Sequence, residues 1–339
     1  MGLYVGIDLH STSSYIGVID QNLKRILGRK VPNEREAILQ SLLPHKNEIE
    51  SIAVESTYNW YWLVDALMED GYCVKLANPA AMKQYEGIKY LNDKQDAFWL
   101  AHMLKLGILP EGYIYPKESR GLRDLLRQRS YLVVQKTSLK HRLQQFAISQ
   151  TGVALRNNDI GRMEVDSIGD LFEGVDVQEN GRNLLTMIQL MDEQVQNIEG
   201  YILKKIGGEK IYQSLTSVPG IGKILGLTIS LETGPIERFD SAGNYASYCR
   251  CVPSSYWSNE KKKGSGNQKN GNKYLSWAFA EAANFCIRFN ADAKRYYQKK
   301  SARTNQPSAY RAMANKLAKA CYFVMRDGVD FDSKRLFLS

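Results

Sequence analysis

The chain has 339 residues, 44% of them hydrophobic, which is enough to bury a sizeable core and excludes a disordered tail protein. Its net charge of +9 is gathered into discrete basic stretches and points to a polyanionic partner, nucleic acid first. Five cysteines without Cys-X-X-Cys or Cys/His ligand spacing read as reduced and non-ligating, and no signal peptide or membrane-length apolar run is present, so a cytoplasmic protein is expected.

Residues 3 to 8 form a β-prone run that ends in Asp8, and Ser14 to Asp20 repeats the pattern after a Ser/Thr turn, predicting two antiparallel strands. Arg25 to Val31 makes a third strand, and Asn33 to Leu43 has helical spacing with Asn33 as its cap. A strand over 51–55 ends in Glu55, a helix follows over 60–70, and Tyr72 to Ala77 is a further strand closed by Asn78-Pro79. Three antiparallel strands, a helix, then strand, helix, strand is the order of the ribonuclease-H-like (RNase H-like) α/β fold.

The acids give that order a chemistry. Asp8 and Glu55 end strands, and Asp93 and Asp96 open a helix, three residues apart and therefore on one face. Carboxylates converging there would repel one another unless a divalent cation neutralised them, and oxygen ligands suit Mg²⁺ or Mn²⁺. Taken singly, Asp8 could end a strand at a turn and Asp93 could cap a helix. Capping explains neither Glu55 nor Asp96.

From Lys117 to about Ile206 the pattern is helical and predicts a coiled-coil arm, broken over 151–180, with Leu184 to Ile206 as the returning helix. Arg123, Arg127, Arg129, Lys136 and Arg142 along it could line nucleic acid or simply form a solvated surface. Ser217-Val-Pro-Gly-Ile-Gly222-Lys223 resembles a helix-hairpin-helix, in which Gly220 and Gly222 would let backbone amides approach a phosphate beside Lys223; a plain helix-helix turn is the alternative. Helices are expected again over 239–249, 274–286 and 307–326, with the basic run Lys294 to Lys300 between the last two. Between Cys251 and Lys273 lies an exposed loop dressed for phosphate, carrying Lys261, Lys262, Lys263, Lys269 and Lys273 among glycines, asparagines and serines.

These residues resemble the DEDD transposases of the insertion-sequence 110 family and the related Piv-type DNA invertases. The first half is carried by Gly6-Ile-Asp8, Val54-Glu55 and Asn92-Asp93-Lys-Gln-Asp96-Ala97. The second is carried by Pro219-Gly-Ile-Gly222, Arg238-Phe239, Tyr248-Cys249, Val252-Pro253, Ser258-Asn259, Lys263-Gly264 and Lys269-Asn-Gly-Asn-Lys-Tyr-Leu275. The resemblance implies a RuvC-like domain over 1–115, a helical arm over 116–206, a mainly helical transposase domain over 207–328 and a tail over 329–339. It also implies a recombinase in which Asp8, Glu55, Asp93 and Asp96 hold Mg²⁺ and Ser258 attacks DNA to form a phosphoserine link, although many relatives have Ser-Gly where this chain has Ser258-Asn259. A structured non-coding guide RNA from the element, and homodimers assembling into a tetramer on double-stranded donor and target DNA, with acids and serine drawn from different subunits, belong to the same expectation.

The chemistry agrees with that expectation. A serine hydroxyl is a weak nucleophile at neutral pH and the loop holds no histidine, so a carboxylate-bound metal would have to assist it. A phosphoserine conserves the energy of the broken phosphodiester, which fits the absence of a Walker loop. The rival is a metal-dependent nuclease or Holliday-junction resolvase that uses only the four acids, and a catalytically silent nucleic-acid-binding protein is a third reading.

Overall fold

Alternation along the first strand decides which face of the sheet each residue serves. In the computed structural model, which describes residues 2–82, 92–253, 256–264, 270–332 and 336, β1 (Leu3–Leu9) sends Leu3, Val5, Ile7 and Leu9 into one core. Tyr4, Gly6 and Asp8 are left for the opposite face. β1 pairs antiparallel with β2 (Ser13–Ile19), and β2 antiparallel with β3 (Arg25–Pro32). On its other side β1 runs parallel to β4 (Ile49–Glu55), and β4 parallel to β5 (Val74–Ala77). A two-residue β6 (Glu111–Gly112), not anticipated from the sequence, gives the final order β3-β2-β1-β4-β5-β6.

Helices α1 (Arg35–Leu42) and α2 (Tyr61–Glu69) cover the Val5 and Ile7 face through Ile38, Leu42, Leu63, Val64 and Leu67. Asn33 does not cap α1, whose N-cap is Glu34 with no side-chain bond. The Asn33 amide is engaged elsewhere, accepting from Ser14 Oγ at 2.6 Å and donating to the His10 carbonyl at 2.8 Å. The other face receives α3 (Asp93–Lys105), and three glycines make room for it. Gly6, Gly17 and Gly28 stand in register across β1, β2 and β3. A methyl group on Gly6 would lie 1.9 Å from the Ala97 carbonyl oxygen; on Gly17 or Gly28 it would meet the Phe98 ring at 3.0 or 3.1 Å. The helix therefore lies directly on the strand backbones.

The chain divides into two compact units: Met1–Lys117 with Ser254–Asn270, and Glu118–Pro253 with Gly271–Ser339. The stretch read from the sequence as a loop within the C-terminal domain thus groups with the N-terminal sheet, and part of it is ordered as a hairpin. β7 (Tyr256–Ser258) pairs antiparallel with β8 (Lys261–Gly264) across Asn259 (φ 51°) and Glu260 (φ 59°). Two successive left-handed residues are the signature of a type I′ turn, whose twist suits adjoining strands. Neither residue is glycine, which is why the hairpin was not legible beforehand.

In the second unit, α4 (Lys117–Thr151) and α7 (Val175–Ile206) form the arm. Arg129 bonds Glu199 at 2.7 Å, and Lys136 bonds Asp192, so the two helices run antiparallel. The 35 residues of α4 span about 50 Å at ~1.5 Å per residue. The returning helix starts nine residues before Leu184, because Gly174 (φ 84°) turns the chain at its N-terminus. Short helices α5 (Asn157–Ile160) and α6 (Ile168–Leu171) fill the tip, where Leu143, Ile160, Phe172 and Leu185 share a small core. The remaining helices are α8 (Lys210–Thr216), α9 (Lys223–Thr233), α10 (Ala242–Tyr248), α11 (Lys273–Phe289), α12 (Ala291–Arg303) and α13 (Gln306–Asp327). Their core holds Tyr245, Phe279, Leu317 and the thiols of Cys249, Cys251, Cys286 and Cys321. Beyond α13 the tail is tied back, with Ser214 Oγ donating to Asp330 and the Phe331 amide donating to Ser217 Oγ, each at 2.9 Å. Among the described residues no helix is long and apolar enough to cross a membrane.

Candidate active site

Asp8 and Glu55 stand at the C-terminal ends of neighbouring parallel strands, one step beyond the Ile7/Val54 pair. Both lie on the α3 side of the sheet. α3 opens there because Asn92 caps it, its side chain accepting from the Gln95 amide at 3.0 Å. Asp93 and Asp96, freed from capping, occupy the first helical turn, where the helix dipole favours negative charge. The close seat of α3 on Gly6 sets the height at which both arrive.

Asp8 is 3% exposed, and among the described residues its Oδ2 makes no hydrogen bond of good geometry. Burial, reinforced by the charges of Glu55, Asp96 and Asp93 and opposed by His10, pushes its carboxyl up to about 6. Burial and Asp96 raise the Glu55 carboxyl as well. Among the described residues, Asp96 Oδ1 is likewise buried without a hydrogen-bond partner. Buried carboxylate oxygens that repel one another form a site to which a divalent cation is suited.

One member was absent from the sequence reading. His10 Nε2 lies 3.1 Å from Asp8 Oδ2 and 3.2 Å from Asp93 Oδ1, and ligand atoms of Asp8, His10 and Asp93 lie within 4.8 Å of one another. Lys30 Nζ is 3.9 Å from the other Asp93 oxygen. No local pattern marks His10, since it lies one residue beyond the end of β1.

Two family models match the chain. Residues 5–149, which include all four acids, match the DEDD transposase model of the IS110 family, described as "Transposase". Residues 212–298, which include Ser258 and the loop lysines, match "Transposase IS116/IS110/IS902 family". Each half of the chain thus carries a segment that matches an IS110-family transposase model. A curated relative, the "Insertion element IS110 uncharacterized 43.6 kDa protein" of Streptomyces coelicolor, is 24% identical over 185 residues, or 51% of this chain. The chain spans about half (46%) of that relative's length.

In the matched segment that carries the serine, Ser258 is the last strand residue before the turn and is paired with Lys261; its side chain and that of Lys262 lie outside the described residues, as does Lys269. Lys261, Lys263 and Lys273 are exposed. Within the same compact unit, Asn270 Oδ1 accepts from Asn78 Nδ2 at 3.5 Å. Asn78 directly follows Ala77, the register partner of Glu55. The end of the hairpin segment is thereby brought to the carboxyl edge of the sheet.

The arm cations divide differently from the sequence expectation. Arg127 makes a bidentate pair with Glu232, Nε to Oε1 at 2.6 Å and Nη2 to Oε2 at 2.8 Å. Arg129 and Lys136 are held by Glu199 and Asp192, and Arg123 is buried. These four hold the fold; Arg142 is exposed. At the α8–α9 turn, the close approach that Gly220 (φ 88°) permits is to α11, where a methyl group would come 2.3 Å from the Ala282 carbonyl oxygen. Gly222 and Lys223 are exposed at the start of α9.

The Asn-Gly-Asn-Lys motif has a structural role in this unit. Asn272 caps α11, accepting from the Tyr274 and Leu275 amides, and its Nδ2 donates to Glu232 at 2.7 Å. Gly271 (φ 85°) lets the chain pass Tyr248, whose carbonyl oxygen would lie 2.4 Å from a methyl group there.

Proposed function

We propose that this protein is a recombinase that inserts and excises its mobile element by cleaving and exchanging DNA strands. Asp8, Glu55, Asp93 and Asp96 hold Mg²⁺ or Mn²⁺, and Ser258 is the nucleophile. The observation that carries this reading is the grouping of the Ser258 hairpin segment with the carboxylate-bearing sheet in one compact unit, with Asn270 tethered at Asn78 beside the end of β4.

A bound cation supplies charge neutralisation at the scissile phosphate. Ser258 gives up its hydroxyl proton as Oγ attacks phosphorus, one phosphodiester P–O bond breaks, and the freed DNA oxygen takes up a proton, leaving a phosphoserine and a DNA hydroxyl. The link keeps the energy of the broken bond, so reversing the step on a new strand needs no nucleotide. Lys261, across the hairpin from Ser258, and Lys262, Lys263, Lys269 and Lys273 meet flanking phosphates. Gly222 and Lys223 add a backbone contact at the start of α9, in the manner of a helix-hairpin-helix. The strand order supports an RNase H-like (RuvC-like) domain. The guide RNA, the dimer-to-tetramer assembly and a cytoplasmic, nucleoid-associated location rest on the family resemblance.

The test is a denaturing gel of purified protein incubated with DNA spanning the element ends and Mg²⁺. Wild type gives cleaved DNA and a covalent protein–DNA band; Ser258→Ala gives neither. The nuclease reading expects Ser258→Ala to cleave normally, and that result would sink the proposal. Asp8→Asn binds the DNA and leaves it intact.

A further inference from the structure

His10 is held more firmly than a half-exposed side chain requires. Its carbonyl accepts from Asn33 Nδ2 at 2.8 Å and from Asn59 Nδ2 at 3.0 Å, and its amide donates to the Ser13 carbonyl at 3.1 Å. Three bonds from three segments fix the backbone and aim the imidazole at Asp8 and Asp93. Asp8 is 3% exposed, and among the described residues its Oδ2 lacks a hydrogen bond of good geometry.

We infer that His10 is a metal ligand through Nε2, completing with Asp8 and Asp93 a nitrogen-containing cation position. The inference rests on the reading that the carboxylates hold divalent cations. Imidazole nitrogen binds Mn²⁺ and later transition ions more strongly than Mg²⁺, which favours oxygen and keeps its water. The His10 position therefore prefers a transition ion such as Mn²⁺ over Mg²⁺. A histidine two residues past the strand-end acid sets the preference, and its pinned backbone spares the ordering cost on binding.

The experiment is Mn²⁺ binding to the full chain, followed by electron paramagnetic resonance with pulsed detection of ¹⁴N coupling. Wild type shows a directly bound imidazole nitrogen, and His10→Ala loses it. His10→Ala also lowers Mn²⁺ affinity about tenfold or more, with Mg²⁺ affinity changed by less than about threefold. The bonds that pin residue 10 are made by its backbone, so circular dichroism and melting temperature should match wild type. Mn²⁺ bound by wild type and lost in Asp8→Asn, but without nitrogen coupling, overturns the role of His10 and leaves the carboxylate metal site standing. Failure of wild type to bind Mn²⁺ at all overturns both.

Discussion

Gly6 lies against Ala97 so closely that a single added methyl group would stand 1.9 Å from the Ala97 carbonyl oxygen. The obstacle is helix backbone, which cannot swing aside as a side chain can, and the Ala101 amide blocks a second direction at 2.7 Å. Gly6→Ala must lift α3 off the sheet or strain β1. Overpacking of this kind costs about 1–3 kcal/mol, and a backbone obstacle puts the substitution at or above the top of that range. Urea denaturation should show the loss. Because Asp93 and Asp96 ride on α3, strand cleavage should fall further than the unfolded fraction accounts for. Gly28→Ala, which meets only the tip of the Phe98 ring and the Tyr15 hydroxyl, should be milder on both measures.

Asp8 governs how stability depends on pH when no cation is bound. Its carboxyl sits at about 6, against an ordinary 3.8, because of burial first and neighbouring carboxylates second. The folded protein holds this proton more tightly than the unfolded chain does. Asp8 therefore contributes stability fully below about pH 4, and loses it as pH rises through about 6. A displacement of roughly two pH units corresponds to about 3 kcal/mol. Melting temperature in a chelator should fall from pH 5 to pH 7, and Asp8→Asn should flatten that fall. The variant should be inactive yet more stable than wild type at pH 7.5. Mg²⁺ should raise the wild-type melting temperature more at pH 7.5 than at pH 5; equal shifts at the two values would contradict the assignment.

Much of this site was legible in the sequence, because strand-end acids and a helix opening on Asp93 are local patterns. The alternation that sends Val5 and Ile7 to one core fixes Asp8 on the other face. His10 was not read, since a lone histidine after a strand carries no period; its meaning came from Asn33 and Asn59, distant in sequence. The glycine row was invisible for the same reason: Gly6, Gly17 and Gly28 become one feature only when three strands pair in register. The partners of the arm cations were not legible either. Arg127, Arg129 and Lys136 look like a basic stripe until the returning helix and α9 supply Glu199, Asp192 and Glu232.

Among those pairs, Arg127 with Glu232 is the one that stability should feel. Glu232 is 1% exposed, and its remaining contact is the Asn272 amide. Arg127→Ala would leave a buried carboxylate without its cation, a loss of about 3–5 kcal/mol. Replacing both partners, Arg127→Met with Glu232→Leu, removes the stranded charge and should be less destabilising than Arg127→Ala alone. Thermal melts of the two proteins and of Glu232→Leu complete the comparison. Additive losses would mean that the pair carries no coupling. The exposed Arg295–Asp292 pair should tolerate either substitution within about 0.5 kcal/mol.

The turn after Ser258 makes the serine's position depend on two left-handed residues. Asn259 at φ 51° adopts this conformation more readily than most residues, and glycine adopts it without strain. Asn259→Gly should keep covalent adduct formation within about threefold of wild type. Asn259→Val places a β-branched residue where its side chain crowds the backbone, at a cost of about 1–2 kcal/mol to the hairpin. Glu260 is also left-handed, at φ 59°, and Glu260→Gly creates the Asn-Gly pair that type I′ turns favour. That variant should form adduct at least as fast as wild type, whereas Asn259→Val should lose at least about tenfold with an unchanged global melting temperature. Equal adduct rates in Asn259→Gly and Asn259→Val would show that the hairpin does not position Ser258.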